Sequence, residues 1–259
     1  MIGRHPRLGF AVVGALFAAL VALGGLIVTA GGGSSSPQVL QYPAPAAPTQ
    51  VAAPAASGAD SYSRDAVRRP ARFAVDPAWA ARTGAAAGIP ATAMAAYGSA
   101  VLRMDKKQPG CRLSWNTLAG IGWIESHHGT IDDRVLQADG TTSPPIIGPA
   151  LNGQGFAAIR STPESAAWHG DATWEHAVGP LQFIRSTWVT WGSDGDGDGT
   201  ADPLDLDDAA WTAARYLCAD GKNLSTPAGW TAAVHSYNHD DVYVANVAAA
   251  ANSYAARAR

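Results

Sequence analysis

The sequence predicts a mainly α-helical domain over residues 76–259, and three observations support this fold class. Apolar segments of helical length follow one another, separated by short stretches rich in Pro, Gly and Asp. The chain has no βαβ alternation with a Gly-rich phosphate loop, and no repeated period. Its hydrophobic fraction of 47% and its 9 Trp supply enough apolar material for a core.

Helix start and stop signals predict the individual elements of this domain. An Ala-rich helix is expected over residues 90–104, because Pro90 suits a first helical turn. Ser114 is the expected N-cap of a helix over residues 115–127. An Asp139-Gly140 turn predicts a short β-hairpin in an otherwise irregular stretch over residues 130–160. Further helices are predicted over residues 180–191, 206–219, 227–237 and 242–256.

The N-terminal segment predicts export from the cytoplasm. No side chain is charged between Leu8 and Ala59, and the part up to Ala30 is almost continuously apolar. About 20 apolar residues span a bilayer as a helix. Residues 1–30 are therefore predicted to be a transmembrane anchor. Arg4 and Arg7, which precede its apolar stretch, are expected to stay in the cytoplasm. A cleaved signal peptide is the alternative, because small residues before position 30 resemble a cleavage site.

Residues 31–75 predict a linker between this segment and the helical domain. They are rich in Pro, Ala, Gly and Ser, and they end in a short Arg-containing stretch. Such a composition buries too little apolar surface to fold by itself. The domain is thus expected to be tethered outside the cytoplasm or secreted.

Charge and cysteine content narrow the classes of function. The chain has 18 basic and 21 acidic residues, and seven of the acidic ones lie between Asp194 and Asp208. The lack of a basic excess argues against a nucleic-acid binder. We expect the protein to be a monomer. Cys111 and Cys218 are the only two cysteines. An even count in an exported protein favours a disulfide, with two buried thiols as the alternative.

One glutamate is a candidate catalytic acid. The chain has three Glu, and Glu125 lies in an almost uncharged helical segment. It shares a helical stripe with Leu118 and Ile121, which predicts a partly apolar setting. Burial raises the pKa of a carboxyl group, so that it stays protonated and can donate to a leaving oxygen, as in glycosidases. The alternative is a solvent-facing Glu at a helix end.

Three ordered segments resemble those of lytic murein transglycosylases, in particular the membrane-bound B type with a lysozyme-like fold. The segments are Glu125-Ser126 at a helix end, residues 177–184 followed by Ser186-Thr187-Trp188, and Tyr237-Asn238 before Tyr243. The resemblance extends over roughly residues 85–250. It implies a mainly α, lysozyme-like transglycosylase domain with a small β-hairpin region, acting on peptidoglycan glycan strands.

The resemblance also implies roles for individual residues. Glu125 would be the sole acid/base, protonating the oxygen between MurNAc and GlcNAc. Its carboxylate would then deprotonate the 6-hydroxyl of the sugar, which closes on C1 to give a 1,6-anhydro product. Residues that would hold the glycan are Ser126, Gln182, Tyr237, Asn238 and Tyr243. Their amides and hydroxyls can orient a sugar without competing for its proton.

The chain departs from the family pattern before the second segment. An acidic run usual in the family is replaced by residues 160–171, and Glu175-His176 stands where Asp-Arg is usual. Two alternative functions stay open. One is a hydrolytic, lysozyme-like muramidase using a second carboxylate such as Glu175 or Asp171. The other is a non-enzymatic, calcium-stabilised module that binds the cell wall.

An aspartate-rich loop predicts a structural Ca²⁺ site. Its spacing fits the calcium loop of an EF-hand, with oxygen ligands at positions 1, 3, 5, 7, 9 and 12 and Gly at position 6. Carboxylates this close repel one another unless a divalent cation lies among them. The predicted ligands are Asp194, Asp196, Asp198, the Thr200 carbonyl, Asp202 and Asp205.

Overall fold

The computed structural model describes residues 74–154 and 157–259. The predicted anchor, residues 1–30, and all but the last two positions of the predicted linker lie outside the described residues. Val75, at the end of that linker, is buried in the core.

The described residues form eight α-helices and one two-stranded antiparallel sheet, which confirms the mainly helical class and the hairpin. In the hairpin, β1 (Val135–Leu136) pairs with β2 (Thr142–Ser143) across the Asp139-Gly140 turn. The helices are α1 (Pro77–Ala87), α2 (Ala91–Lys107), α3 (Trp115–Ser126), α4 (Pro163–His169), α5 (Arg185–Trp191), α6 (Leu206–Leu217), α7 (Pro227–Tyr237) and α8 (Asp241–Arg257).

Local signals explain where several helices begin. The Asp76 side chain accepts a hydrogen bond from the Trp79 backbone and caps α1, and Thr226 caps α7 by accepting from Gly229. A proline follows each of these caps, at the position where its missing N–H costs nothing. The predicted bounds of α7 agree with the structure, whereas α1 and α4 are additions to the predicted elements.

The predicted start of a helix at residue 180 is wrong, because α5 begins at Arg185. Residues 178–183 form a tight turn in which Val178 and Phe183 exchange backbone hydrogen bonds. Gly179 and Gln182 adopt positive φ angles of 78° and 51° in this turn. A continuous helix is incompatible with those left-handed residues.

Helix α3 is the centre of the domain. All its residues except Trp123 and Ile124 are buried, and it packs chiefly against α8 and α2. A Cβ atom at Gly120 would lie 2.8 Å from the Val247 carbonyl oxygen of α8, so this close approach requires glycine. The Asn116 amide adds a hydrogen bond to the Ala251 carbonyl at 3.1 Å.

The predicted disulfide is present. Cys111, just before α3, is bonded to Cys218, at the end of α6, with a Cα–Cα distance of 5.5 Å. Both residues are buried, and the bond fastens α6 beside the central helix.

No single helix in residues 74–154 and 157–259 combines the length and apolar composition of a membrane span. Helices α1 and α2 meet those criteria only as a pair, and they bend by 115° where they join.

Candidate active site and acidic loop

Glu125 lies in the last turn of α3, and its side chain is withdrawn from solvent. The residue is 5% exposed, and the Tyr243 hydroxyl of α8 donates a hydrogen bond to its Oε1 at 2.6 Å. Burial raises the pKa of Glu125 to about 8, and the Tyr243 hydrogen bond opposes that effect. The carboxyl group therefore holds its proton at neutral pH, as a general acid must.

Two tyrosines predicted from sequence lie beside this carboxyl group. The Tyr237 hydroxyl, at the end of α7, donates to the Leu181 carbonyl at 2.7 Å. Burial, and then the charge of Glu125, raise the pKa of both Tyr237 and Tyr243 well above the ordinary value. Both phenols thus remain neutral hydrogen-bond donors.

Ser126 connects α3 to the turn at residues 178–183. Its hydroxyl donates to the Pro180 carbonyl at 2.6 Å and accepts from the Gly129 backbone at 2.8 Å. Because its one proton is used in this way, Ser126 fixes the backbone around the site in this structure.

Gln182 carries an unsatisfied acceptor. Its Nε2 donates to the Gly179 carbonyl at 2.8 Å, while its buried Oε1 has no hydrogen-bond partner in the described part of the chain. A buried acceptor without a partner is costly, and a ligand N–H or O–H would relieve that cost.

Asn238 lies in the turn between α7 and α8. It is fully buried, and its Oδ1 accepts from the Asp240 backbone at 3.2 Å. This turn joins the helix end that carries Tyr237 to the helix that carries Tyr243. The structure thus brings Glu125 and the tyrosines together, and it shows Asn238 shaping the backbone between them.

The other two acidic candidates, Glu175 and Asp171, form a separate polar cluster. His169 Nε2 lies 3.1 Å from Glu175 Oε1, and its Nδ1 accepts from the Asp171 backbone at 3.2 Å. With Nδ1 as an acceptor, Nε2 is the ring nitrogen that donates to Glu175. Hydrogen bonds from the Thr173 backbone and then from the His176 ring lower the pKa of Asp171 to about 2. Each of the two carboxylates is thus hydrogen-bonded to a histidine of this cluster, Glu175 to His169 and Asp171 to His176.

The acidic loop, residues 194–205, lies against the start of α6. Three carboxylates come together there, and one of them is not among the predicted ligands. Oxygen atoms of Asp194, Asp196 and Asp208 lie within 4.8 Å of one another. Asp208 also accepts from the Gly195 backbone at 2.6 Å and from the Asp202 backbone at 2.8 Å. Burial raises the pKa of Asp208 to about 7.

The remaining predicted ligands have local roles in this structure. Asp198 accepts from the Thr200 backbone, and Asp202 accepts from the Leu204 backbone. Asp205 caps α6 by accepting from the Asp207 backbone at 2.7 Å. The EF-hand spacing does not predict Asp208. Its position one helical turn after the capping residue Asp205 is the sequence feature that could have indicated it. A set of three carboxylates suits a hard cation such as Ca²⁺.

Comparison with known protein families gives a match to part of the chain. Residues 164–248 match the family model for the transglycosylase SLT domain. The matched range contains Gln182, Tyr237, Tyr243 and the acidic loop, while Glu125 precedes it. The match supports a relationship to lytic transglycosylases and an enzyme that acts on peptidoglycan. No curated protein and no solved structure shows significant similarity to the chain.

Proposed function

We propose that this protein is a peptidoglycan lytic transglycosylase with Glu125 as its single acid/base. The observation that carries the proposal is the buried carboxyl group of Glu125, whose pKa is raised to about 8 and whose Oε1 accepts from Tyr243. Cleavage takes place at the β-1,4 bond between MurNAc and GlcNAc. The match to the transglycosylase SLT domain supports this substrate.

The reaction needs one group that first gives and then takes a proton. Protonated Glu125 donates to the glycosidic oxygen, the GlcNAc side departs as an alcohol, and positive charge develops at C1 of MurNAc. The Glu125 carboxylate then removes the proton of the 6-hydroxyl of the same sugar, and O6 bonds to C1. The product is a 1,6-anhydro ring, and Glu125 is protonated again.

The neighbours of Glu125 suit both steps. Tyr243 donates to the carboxylate between the two proton transfers, when a charge-assisted hydrogen bond is strongest. The buried Oε1 of Gln182, which lacks a partner among residues 74–154 and 157–259, can accept from a sugar hydroxyl or acetamido N–H. The nucleophile is the 6-hydroxyl of the substrate, so this mechanism needs no second catalytic carboxylate. The pairing of Glu175 and Asp171 with histidines is therefore compatible with it.

The test is the product released from purified peptidoglycan by the full-length protein. We expect 1,6-anhydromuropeptides by mass spectrometry. Glu125→Gln should lower the rate by about 10²–10⁴-fold, the usual contribution of a general acid. Glu164→Gln is the matched control, because Glu164 undergoes the same chemical change on the exposed surface.

Two outcomes would contradict the proposal. Products with reducing ends would identify a hydrolytic muramidase instead. Wall binding without cleavage, unchanged in Glu125→Gln, would identify a non-enzymatic wall-binding module.

We also propose that a structural Ca²⁺ occupies the acidic loop and that the domain works outside the cytoplasm. Asp194, Asp196 and Asp208 would hold the ion, which would supply no chemistry to the reaction and would neutralise these three carboxylates where the loop meets the start of α6. The apolar N-terminal segment and the disulfide support a location at the cell membrane or in the cell wall. Fractionation of cells distinguishes an anchored from a secreted protein.

A further inference from the structure

The backbone immediately after α3, the helix that carries Glu125, is strained. His127, His128 and Gly129 follow one another with φ angles of 50°, 62° and 87°. Residues with a Cβ rarely adopt the left-handed region, and such strain persists only where the surroundings hold it. Two histidines in this region, two and three positions after Glu125, therefore require a restraint.

His128 supplies contacts that can act as this restraint. It is 1% exposed, and its two ring nitrogens meet two tyrosine hydroxyls from different helices. Nδ1 lies 3.1 Å from the hydroxyl of Tyr97 on α2, and Nε2 lies 2.8 Å from the hydroxyl of Tyr254 on α8. The imidazole thus links the end of α3 to both helices that pack against it.

The chemistry of this link matches a neutral imidazole. Burial is the main cause that lowers the pKa of His128 to about 3, so the ring is uncharged at neutral pH. A neutral ring has one donor and one acceptor nitrogen, and each tyrosine hydroxyl can complement either one. Any Cβ at Gly122 would collide with the Tyr97 hydroxyl, so α3 carries a glycine where this hydroxyl approaches.

The same turn holds the active-site backbone. The His128 backbone donates to the Gly122 carbonyl at 2.8 Å, which closes the end of α3. The neighbouring Gly129 backbone donates to Ser126 Oγ, and that hydroxyl donates to the Pro180 carbonyl, two residues before Gln182. A shift of the turn would consequently move both Glu125 and the segment that carries Gln182.

We propose that His128 is a positioning residue: with Tyr97 and Tyr254 it fixes the left-handed turn after α3 and thereby holds the Glu125 carboxyl group in its buried place. This inference deepens the proposed function, on which its kinetic consequence rests. Its structural consequence is independent of any activity.

The chain allows a direct measurement of this consequence. It contains three Glu, so selective ¹³C labelling of the Glu δ-carboxyl gives three NMR signals. Glu125→Gln identifies the signal of Glu125. Titration of this signal is followed in the full-length wild type, in His128→Phe and in Thr117→Val. Thr117→Val is the matched control, because it removes a buried acceptor, that of the Trp230 indole, near the other end of α3.

We expect the titration midpoint of Glu125 to lie near 8 in the wild type and in Thr117→Val. In His128→Phe it should fall towards the ordinary value for Glu, 4.5, as water reaches the carboxyl group. The kcat on peptidoglycan should fall by about 10²-fold with little change in KM, since a small displacement of a catalytic group costs that much. Thr117→Val should keep the wild-type kcat.

A further variant keeps the test decisive. If His128→Phe does not fold, Tyr254→Phe removes one hydroxyl of the link, and a smaller fall of the midpoint is expected. An unchanged Glu125 titration in the folded variants would overturn the inference. A wild type that leaves peptidoglycan uncut would refute the proposed function, while the NMR titration would still decide whether His128 positions Glu125.

Discussion

Glu125 couples the stability of the domain to pH. Its pKa is about 8 in the folded chain and that of a solvated carboxyl group, 4.5, in the unfolded chain. Between these values the folded state binds more protons, so this group's contribution to the free energy of unfolding falls as pH rises. The contribution is complete below about pH 4.5 and is lost as pH passes through 8.

We therefore predict that Glu125→Gln and the wild type differ little in stability near pH 4, and that the variant is the more stable near pH 9. Gln fills the same space without acquiring a charge. Urea denaturation at a series of pH values measures the difference between the two proteins. A difference that stays constant across that range would show that Glu125 is solvated.

A second prediction concerns Tyr243. Its hydroxyl lowers the pKa of Glu125, so Tyr243→Phe should move the alkaline limb of the pH–rate profile upwards. The kcat should fall by about 10-fold or more, because a hydrogen bond to a charged group contributes about 1.5–3 kcal/mol. Tyr216→Phe is the control, since the Tyr216 hydroxyl donates to the Ser236 carbonyl instead. Equal effects in both variants would rule out a special role for Tyr243.

At the scale of single residues, the sequence predicts those whose chemistry is unusual for their surroundings. Glu125 is conspicuous because it is a lone carboxylate in an apolar segment. The sequence pattern does not predict His128 and Asp208, because their roles come from distant parts of the fold. His128 contacts tyrosines of α2 and α8, and Asp208 contacts the loop that folds back on α6. Only tertiary packing creates those contacts.

At the scale of elements, the acidic loop allows the ligand sets to be distinguished. The EF-hand pattern predicts Asp205 as the last ligand, whereas the structure groups Asp208 with Asp194 and Asp196. We predict that Ca²⁺ raises the Tm in a concentration-dependent manner and that EDTA reverses the rise, as expected for a ligand of the folded state. A Tm indifferent to both would remove the calcium proposal.

Two variants assign the ligands. Asp208→Asn should abolish the rise in Tm. Asp205→Asn should retain it, because Asn caps a helix as well as Asp does and Asp205 caps α6 in this structure. The reverse result would favour the EF-hand pattern over the observed cluster.

The helices show where local signals suffice and where they fail. The start of α7 follows from the Thr226-Pro227 pair. The same type of start is present at α1 and α4, which the apolar pattern does not predict. Both have a capping residue followed by proline, but few large apolar residues to reveal a buried face. The wrong start of α5 has a different cause, since the left-handed Gln182 conformation depends on the pairing of Val178 with Phe183.

At the scale of the whole molecule, three distant segments converge on one site. Ser126 reaches Pro180, and Tyr237 reaches the adjacent Leu181, so α3 and the end of α7 both contact one turn. The order of the motifs in the sequence predicts that they belong together. The hydrogen bonds that join them depend on packing, which the sequence pattern does not reveal.

The disulfide contributes to the stability of the whole domain. It connects residues 107 positions apart, and the segment between them contains the hairpin and helices α3 to α6. In the chain-entropy account, closing a loop of about 100 residues lowers the entropy of the unfolded chain, which stabilises the folded state by about 4.7 kcal/mol.

We predict that the double variant Cys111→Ala/Cys218→Ala loses roughly this much free energy of unfolding, measured by urea denaturation. Its kcat should stay near that of the wild type while it is folded, because the bond lies before the start of α3 and Glu125 lies at the end. If stability were unchanged, the unfolded chain would have to remain compact without the bond. If kcat fell while the protein stayed folded, the position of α6 beside α3 would matter for Glu125 itself.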